Sequence, residues 1–271
     1  MTVFVFWNLH NQQLGHMIAN LAVTYDVDVF MLAECDIGPS RLLSDLNRSG
    51  SSPYHYVRNI GQEKIQIYTK FSAEFVTSVL DGPRFTIRHV TLPATAGLLL
   101  VVSHFPSKVN WDEHSQAAES TILAQEIAQA EVSVGHQRTV LVGDLNMNPF
   151  ESGVVNAAGL HAVMSKSIAL NRSRTVQGRS YRYFYNPMWS LLGDASDGPP
   201  GTHYYNRSSH REIFWNMFDQ VLIRPDLLDR FNNRDLMVLD TDGTTTLLTA
   251  NGLPDTTVAS DHLPILFTLN L

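Results

Sequence analysis

Cysteine is almost absent from this 271-residue chain, with Cys35 the single example. One thiol excludes an intramolecular disulfide framework and fits a reducing compartment, so a cytoplasmic location is expected. Long hydrophobic runs are missing too. The longest, residues 98–102, falls far short of the ~20 residues that a membrane-spanning helix needs. The opening MTVFVFWNL has neither a basic leader nor a small-residue cleavage site, and is read as a strand rather than a signal peptide. Basic charge is the third shortage: 19 Lys and Arg stand against 26 Asp and Glu, a net −7. A negative far field repels polyanions, so tight binding of long nucleic acid by charge alone is not expected.

What remains is ordinary globular material, 44% hydrophobic and 17% charged, enough for a sizeable core. Residues 2–7 and 27–33 read as buried strands, and residues 12–24 and 37–46 carry helical spacing. Residues 54–58, 64–69, 75–80, 84–92 and 97–104 read as successive strands, with turn chemistry at 51–53, 59–62 and 81–83. A long helix is predicted over 112–132, then strands over 138–142, 218–223 and 264–269. Residues 236–239 and 245–248 are expected to pair around Asp242-Gly243. Between 151 and 215 there is little regular pattern beyond a short helix near 154–158, and so long an irregular stretch is more often functional than idle. No linker or repeat divides the chain, so residues 1–271 are expected to form one α/β domain of two packed sheets with helices outside.

Polar residues recur where buried strands end or begin: Asn8, Glu34, His104, Asp144 with Asn146, Asp219, and Asp261 with His262. Singly, each is a solvated turn or a cap. Together they can converge on one rim of a sheet, where ligands commonly bind. Their chemistry agrees. Hard divalent cations want oxygen ligands, which Glu34, Asp261 and Asn8 supply. Asp144 and Asn146 are two apart and share one side of an extended chain, so one could orient a water and the other hold a phosphate oxygen. His104 and His262 could move protons on either side of a phosphorus, with Asp219 orienting one of them.

The ordered set FWNLHN, FMLAECD, VSHFPSK, VLVGDLNMNP, MFDQVLIRP and SDHLPI resembles the endonuclease/exonuclease/phosphatase superfamily, from Asn8 to His262. That resemblance implies a four-layer α/β/β/α sandwich with a site above its two sheets and a Mg2+ cofactor, Mn2+ being the alternative. It also implies metal roles for Asn8, Glu34 and Asp261, and catalytic roles for His104, Asp144, Asn146, Asp219 and His262. His104 matches the deoxyribonuclease and sphingomyelinase branches rather than the abasic-site endonucleases. Two departures stand out. Ala33 precedes the glutamate where glutamine is usual, and no arginine opens the helix after the His104 motif, which leaves Lys108 as its candidate replacement.

The substrate is less legible. Arg172, Arg174, Arg179 and Arg182, interleaved with Tyr183 and neighbouring aromatics, are candidates to hold phosphates and stack unpaired bases. Nucleic acid is the expected substrate. A small phosphorylated molecule or lipid headgroup is the alternative, and a non-catalytic ligand-binding protein of the same fold is the third reading. His203 and His210 could contact substrate but are read as surface histidines, and Cys35 as a small buried residue.

Overall fold

The computed structural model describes residues 1–48, 52–59, 64–109, 111–208, 210 and 212–271, so the expected turns at 51–53 and 59–62 fall partly outside the described residues. In chain order come β1 (Thr2–Asn8), α1 (Gly15–Thr24), β2 (Val29–Ala33), α2 (Pro39–Leu46), β3 (His55–Val57) and β4 (Ile65–Thr69). Next are β5 (Val76–Asp81), β6 (Phe85–Val90), β7 (Leu98–His104), α3 (Glu113–Val134) and β8 (Thr139–Asp144). The irregular third of the chain holds α4 (Ser152–Val155), β9 (Ala162–Val163), α5 (Lys166–Ala169), β10 (Ser173–Val176), β11 (Arg179–Arg182), β12 (Phe184–Tyr185), β13 (His203–Tyr204) and β14 (Trp215–Asn216). β15 (Asp219–Ile223), β16 (Met237–Val238) and β17 (Ile265–Leu269) close the fold.

Two mixed sheets form, in the orders β16-β17-β1-β2-β4-β3 and β5-β6-β7-β8-β15-β12-β9. Their layering follows from strand alternation. Phe4 and Phe6 of β1 point into the space between the sheets, with Met31, Ile67, Leu100, Val142 and Val221. Val5 and Trp7 point the other way, onto Ile18 and Leu21 of α1 and Leu42 of α2. Leu99, Val101 and Leu141 likewise leave the second sheet outward to meet Leu123 and Ile127 of α3. Three apolar clusters therefore separate four layers, which is the α/β/β/α sandwich. With both faces of each sheet covered, the central strands read as unbroken hydrophobic runs.

Local chemistry sets the ends of the longest helix. The Asp112 side chain accepts from the Ser115 N–H at 2.7 Å, and Gly135, at φ +75°, closes the helix in the left-handed region. Among the described residues no helix is long and apolar enough to cross a membrane.

The expected pairing of residues 236–239 with 245–248 is corrected. Met237 and Val238 add to the edge of the first sheet against Leu266 and Ile265. The Asp242-Gly243 turn is closed locally instead, with Asp242 Oδ1 accepting from the N–H groups of Thr244 and Thr245. The irregular third also holds more structure than its pattern suggested, because strands of two residues are too short to show a period.

Cys35 is 4% exposed, and burial pushes its thiol up to about 11. At pH 8 its thiolate fraction should therefore be roughly a hundredfold below that of a thiol at the ordinary value of ~9. Ellman's reagent should leave the native protein unmodified and titrate one thiol once it is unfolded in guanidinium. Rapid labelling of the native state would contradict that burial.

Candidate active site

Strand direction gathers the polar residues. β1 and β2 run parallel and end together, with Asn8 opposite Ala33 and Glu34 just beyond. β7 and β8 run parallel, so His104 and Asp144 are register partners. β15 is antiparallel to β8 and therefore starts at this end, with Asp219 opposite Asp144. β17 is antiparallel to β1, which places the preceding Asp261 and His262 beside the end of β1. All eight residues thus reach one rim.

Hydrogen bonds then cross between the sheets. Asn8 donates through Nδ2 to Asp144 Oδ2 at 3.0 Å. His262 Nδ1 meets Asp219 Oδ2 at 2.8 Å, and its Nε2 faces Asp144 Oδ2 at 3.9 Å. His104 Nε2 lies 3.1 Å from Glu34 Oε1 and 3.9 Å from Asp144 Oδ2. Trp7 Nε1 donates to the His262 carbonyl, and Ser260 Oγ donates to the Asn8 carbonyl while accepting from the His262 N–H.

The loops leaving the strands adopt the conformations this requires. A Cβ on Gly143 would lie 1.9 Å from the Ser103 carbonyl oxygen, so only glycine lets β8 pass β7 before Asp144. Glu34 and Asn146 take positive φ, +45° and +49°, a conformation costly for a glutamate and one that recurs at functional sites. Asn146 is pinned from several directions: its N–H donates to Asp144 Oδ1, and its Nδ2 to the Phe105 carbonyl and Asp144 Oδ2. Buried Gln116, one turn into α3, donates to the carbonyls of Pro106 and Asn146 and fixes the same loop. It stands near where an arginine was sought. Buried Gln66 holds the loop after Glu34 through the carbonyls of Cys35 and Ile37.

Electrostatics separates the groups. Burial alone would discharge His262, but Asp219, Asp144 and Asp261 outweigh it and push the imidazolium up to about 10. Burial raises the Asp144 carboxyl above its ordinary range. The hydrogen bond from His104 holds Glu34 low. Burial would raise Asp261 as well, yet the His203 hydrogen bond and the charges of His262 and His10 bring it to about 2. One rim therefore carries a cationic histidine, a buried carboxyl of raised affinity for protons, and two ionised carboxylates.

Three further residues join this rim. His203 Nε2 is 3.8 Å from Asp261 Oδ2, its ring centroid is 4.6 Å from that of His262, and it stacks on Phe218. His10 Nδ1 lies 3.5 Å from the same Asp261 oxygen. Asn148 receives the Met217 N–H and donates to Asn216, holding the chain that leads into Asp219. His10 could have been found beside Asn8. His203, read from the sequence as a surface histidine that could contact substrate, is brought here by the bridge His203–His262, 59 residues apart in sequence.

The arginine-rich segment is placed elsewhere. β12 meets β15 at Ile223, the end of that strand away from Asp219. There Arg182 pairs with Glu131, Arg172 pairs with Asp226, and Tyr183 is buried with its carbonyl accepting from Arg224. Arg174 and Arg179 belong to the exposed β10–β11 hairpin. None of these five reaches the rim, because the pairing runs their strands down the opposite end of the sheet. Lys108 stays near it, paired with Glu151 and 5.2 Å from the centre of the Phe218 ring.

The sequence profile of the Endonuclease/Exonuclease/phosphatase family matches residues 5–262. The chain belongs to that family. Its members are divalent-metal-dependent phosphoric ester hydrolases, and this chain is a hydrolase of that type. No curated protein matches it. Solved structures do. An AP endonuclease from Archaeoglobus fulgidus superposes with a TM-score of 0.58 at 14% identity, covering 100% of both chains. D. rerio TDP2 complexed with a single-strand DNA product gives 0.56 at 16%, over 100% of this chain and 99% of that one. The endonuclease domain of TRAS1, a telomere-specific non-LTR retrotransposon, gives 0.53 at 14%, over 100% and 99%. At such identities the likeness is one of fold.

The donor set suits the family's divalent cation. Glu34 and Asp261 are ionised, partly open to solvent, and flank the rim. Asn8 Oδ1 accepts from the His10 N–H beside them. Two carboxylates and a neutral oxygen, with room for water, match a hard cation's preference.

Proposed function

We propose that this family member, as one catalytic unit spanning residues 1–271, is a nuclease that hydrolyses phosphodiester bonds by in-line attack of water. The observation that carries the reading is the His262–Asp219 pair set 3.9 Å from buried Asp144. Asp144, raised by burial, takes a proton from the attacking water, while Asn146, whose Nδ2 donates to Asp144 Oδ2, orients that carboxylate. The water oxygen bonds to phosphorus as the bond to the leaving oxygen breaks, and His104 protonates that leaving oxygen. His262, charged and fixed by Asp219, donates to the phosphoryl oxygens as negative charge accumulates. A divalent cation held by Glu34 and Asp261, Mg2+ by preference or Mn2+, would add positive charge on those same oxygens.

Nucleic acid is favoured by what surrounds the rim. The β13–β14 hairpin stands against His262 and carries Tyr204, Tyr205, Phe214 and Trp215, with the Arg207 guanidinium 4.6 Å from the Tyr205 ring centre. Aromatic faces interleaved with a cation are what unpaired bases and phosphates require. The fold likeness to a TDP2 bound to single-strand DNA and to an AP endonuclease points the same way. A small phosphorylated substrate is the second reading, favoured by the net charge of −7. A reducing compartment such as the cytoplasm suits the lone buried thiol.

The test is turnover with Mg2+ or Mn2+ on single- and double-stranded DNA, RNA, a generic phosphodiester and a panel of phosphomonoesters. Polymer cleavage that EDTA abolishes and added Mg2+ restores is expected. Hydrolysis of monoesters alone would move the assignment to a phosphatase. Polymer cleavage undiminished by EDTA would remove the metal from the reading.

A further inference from the structure

Charge is unevenly spread along this acidic chain. Residues 152–193 hold no Asp or Glu, yet carry Lys166, Arg172, Arg174, Arg179 and Arg182, in a chain of net −7. Two of the five pair internally, Arg172 with Asp226 and Arg182 with Glu131. Lys166, Arg174 and Arg179 are exposed and form no ion pair among the described residues.

Strand pairing sets two of these cations side by side. In the β10–β11 hairpin Arg174 lies opposite Tyr181 and Val176 opposite Arg179, so these four side chains share one face. Ser173 and Arg182 are opposite each other on the other face, which turns to Glu131. Tyr181 meets the His161 ring edge-on, and Arg174 lines an open cavity with His161, so the face of Arg174 and Arg179 turns toward that cavity. The cavity, about 450 Å3, follows β9, the outer strand of the second sheet. Val155, Met164 and Ile168 line it as well, and all three are exposed, Met164 to 58% and Ile168 to 46%. The short helix α5 presents them: Ala169 is buried in the core while Lys166 and Ile168 stay outside. Exposed apolar side chains grouped with charge of one sign mark a docking surface.

We propose that this edge docks on an anionic lipid bilayer: Val155, Met164 and Ile168 enter the boundary between headgroups and acyl chains, and Lys166, Arg174 and Arg179 sit among the anionic headgroups. Apolar groups at the interface with cations beside them are what a monotopic surface requires. Aliphatic side chains offer bases no stacking, which argues against a nucleic acid here. They also stand out from the surface, and their cations lie on a separate hairpin, which suits a plane better than an extended acidic peptide. The net charge does not oppose docking, because salt screens charges beyond ~8 Å and only the near edge is felt. β12 meets β15 at the end away from Asp219, so docking leaves the rim open to a water-soluble substrate. The proposal stands whichever phosphoester the rim hydrolyses.

Co-sedimentation of the intact chain with vesicles tests it, in EDTA so that no divalent cation bridges the rim to a lipid phosphate. One set is phosphatidylcholine alone, and the other has one part phosphatidylserine to two of phosphatidylcholine. The mixed vesicles should bind at least about tenfold more tightly, since each cation near an anionic surface contributes about fivefold. Arg174→Glu with Arg179→Glu should weaken that binding at least about tenfold. Ile168→Asn should weaken it at least about threefold. Circular dichroism checks the fold of both variants, and either alone suffices if the other unfolds. The readout needs no turnover, so it is separable from the nuclease reading. No binding to mixed vesicles, equal binding to neutral ones, or binding untouched by both sets of substitutions overturns the proposal. So does retention on immobilised poly-glutamate or oligonucleotide, lost in the arginine variant, with none on vesicles; that result assigns the edge to an acidic protein or a nucleic acid.

Discussion

Replacing His262 with alanine should lower turnover on a generic phosphodiester by about 10^3- to 10^4-fold, with little change in KM. His262 lies between two carboxylates, 2.8 Å from Asp219 and 3.9 Å from Asp144, and its imidazolium is held to about 10. Its charge is therefore fully present from pH 6 to 8, and only the transition state, with its added negative charge, draws on it strongly. A group whose protonation is favoured loses its charge as pH rises through the raised value. The wild type should accordingly show no limb from this histidine near pH 6.5. Asp219→Asn removes the largest of the supporting carboxylates. The histidine should then discharge at lower pH, so activity falls on the alkaline side well before the wild type's does. A folded His262→Ala protein with near-normal kcat would sink the assignment, and an Asp219→Asn profile superposable on the wild type would sink the orienting role.

The largest stability effect should come from a group far from the rim. Replacing Glu131 with alanine is expected to cost about 3–5 kcal/mol, because it takes the main ion-pair partner from the buried Arg224. Glu131 is 2% exposed near the end of α3. Its Oε1 receives Arg224 Nε at 2.8 Å and Thr139 Oγ1 at 2.9 Å, and its Oε2 receives Arg182 Nη1 at 2.8 Å. Arg224 is 4% exposed and lies over the Phe184 ring. Without the carboxylate only the weaker interaction with Asp226 remains to offset its desolvation. For a chain of this size the loss corresponds to a Tm lower by roughly 10 °C, measurable by calorimetry. Thr139 begins β8 and Asp144 ends it, so the cluster sits about 17 Å from the rim by strand rise, and kcat of the folded variant should hold. A Tm shift under about 2 °C would show that the pair contributes little net energy.

The same cluster explains where sequence reading went astray. Arg172, Arg174, Arg179, Arg182 and Tyr183 have the composition of a phosphate-and-base-binding segment. Composition carries no direction, however, and β12 delivers this stretch to the far end of β15, where Arg182 neutralises Glu131 and Arg172 pairs with Asp226. The aromatic and basic surface beside the rim comes from the β13–β14 hairpin, whose two-residue strands give no periodic signal. Lys108 likewise has the right charge near the rim, yet it is paired with Glu151.

The strands around the site were legible for a physical reason. A strand buried on both faces must be apolar along its length, so the first polar residue after it marks the rim, as at Asn8, Glu34, His104 and Asp144. The need for glycine at 143 came from the structure, where a side chain would collide with the Ser103 carbonyl. By itself, then, the sequence determined the layers and the strand ends, because burial and alternation are written residue by residue, and its ordered motifs pointed to the family. Only the tertiary structure decided that His203 stands beside His262 and Asp261, that Gln116 anchors the Asn146 loop, and that the arginine segment faces away. Those outcomes depend on which strands pair and in which direction, and such long-range pairing leaves no local trace in composition or period.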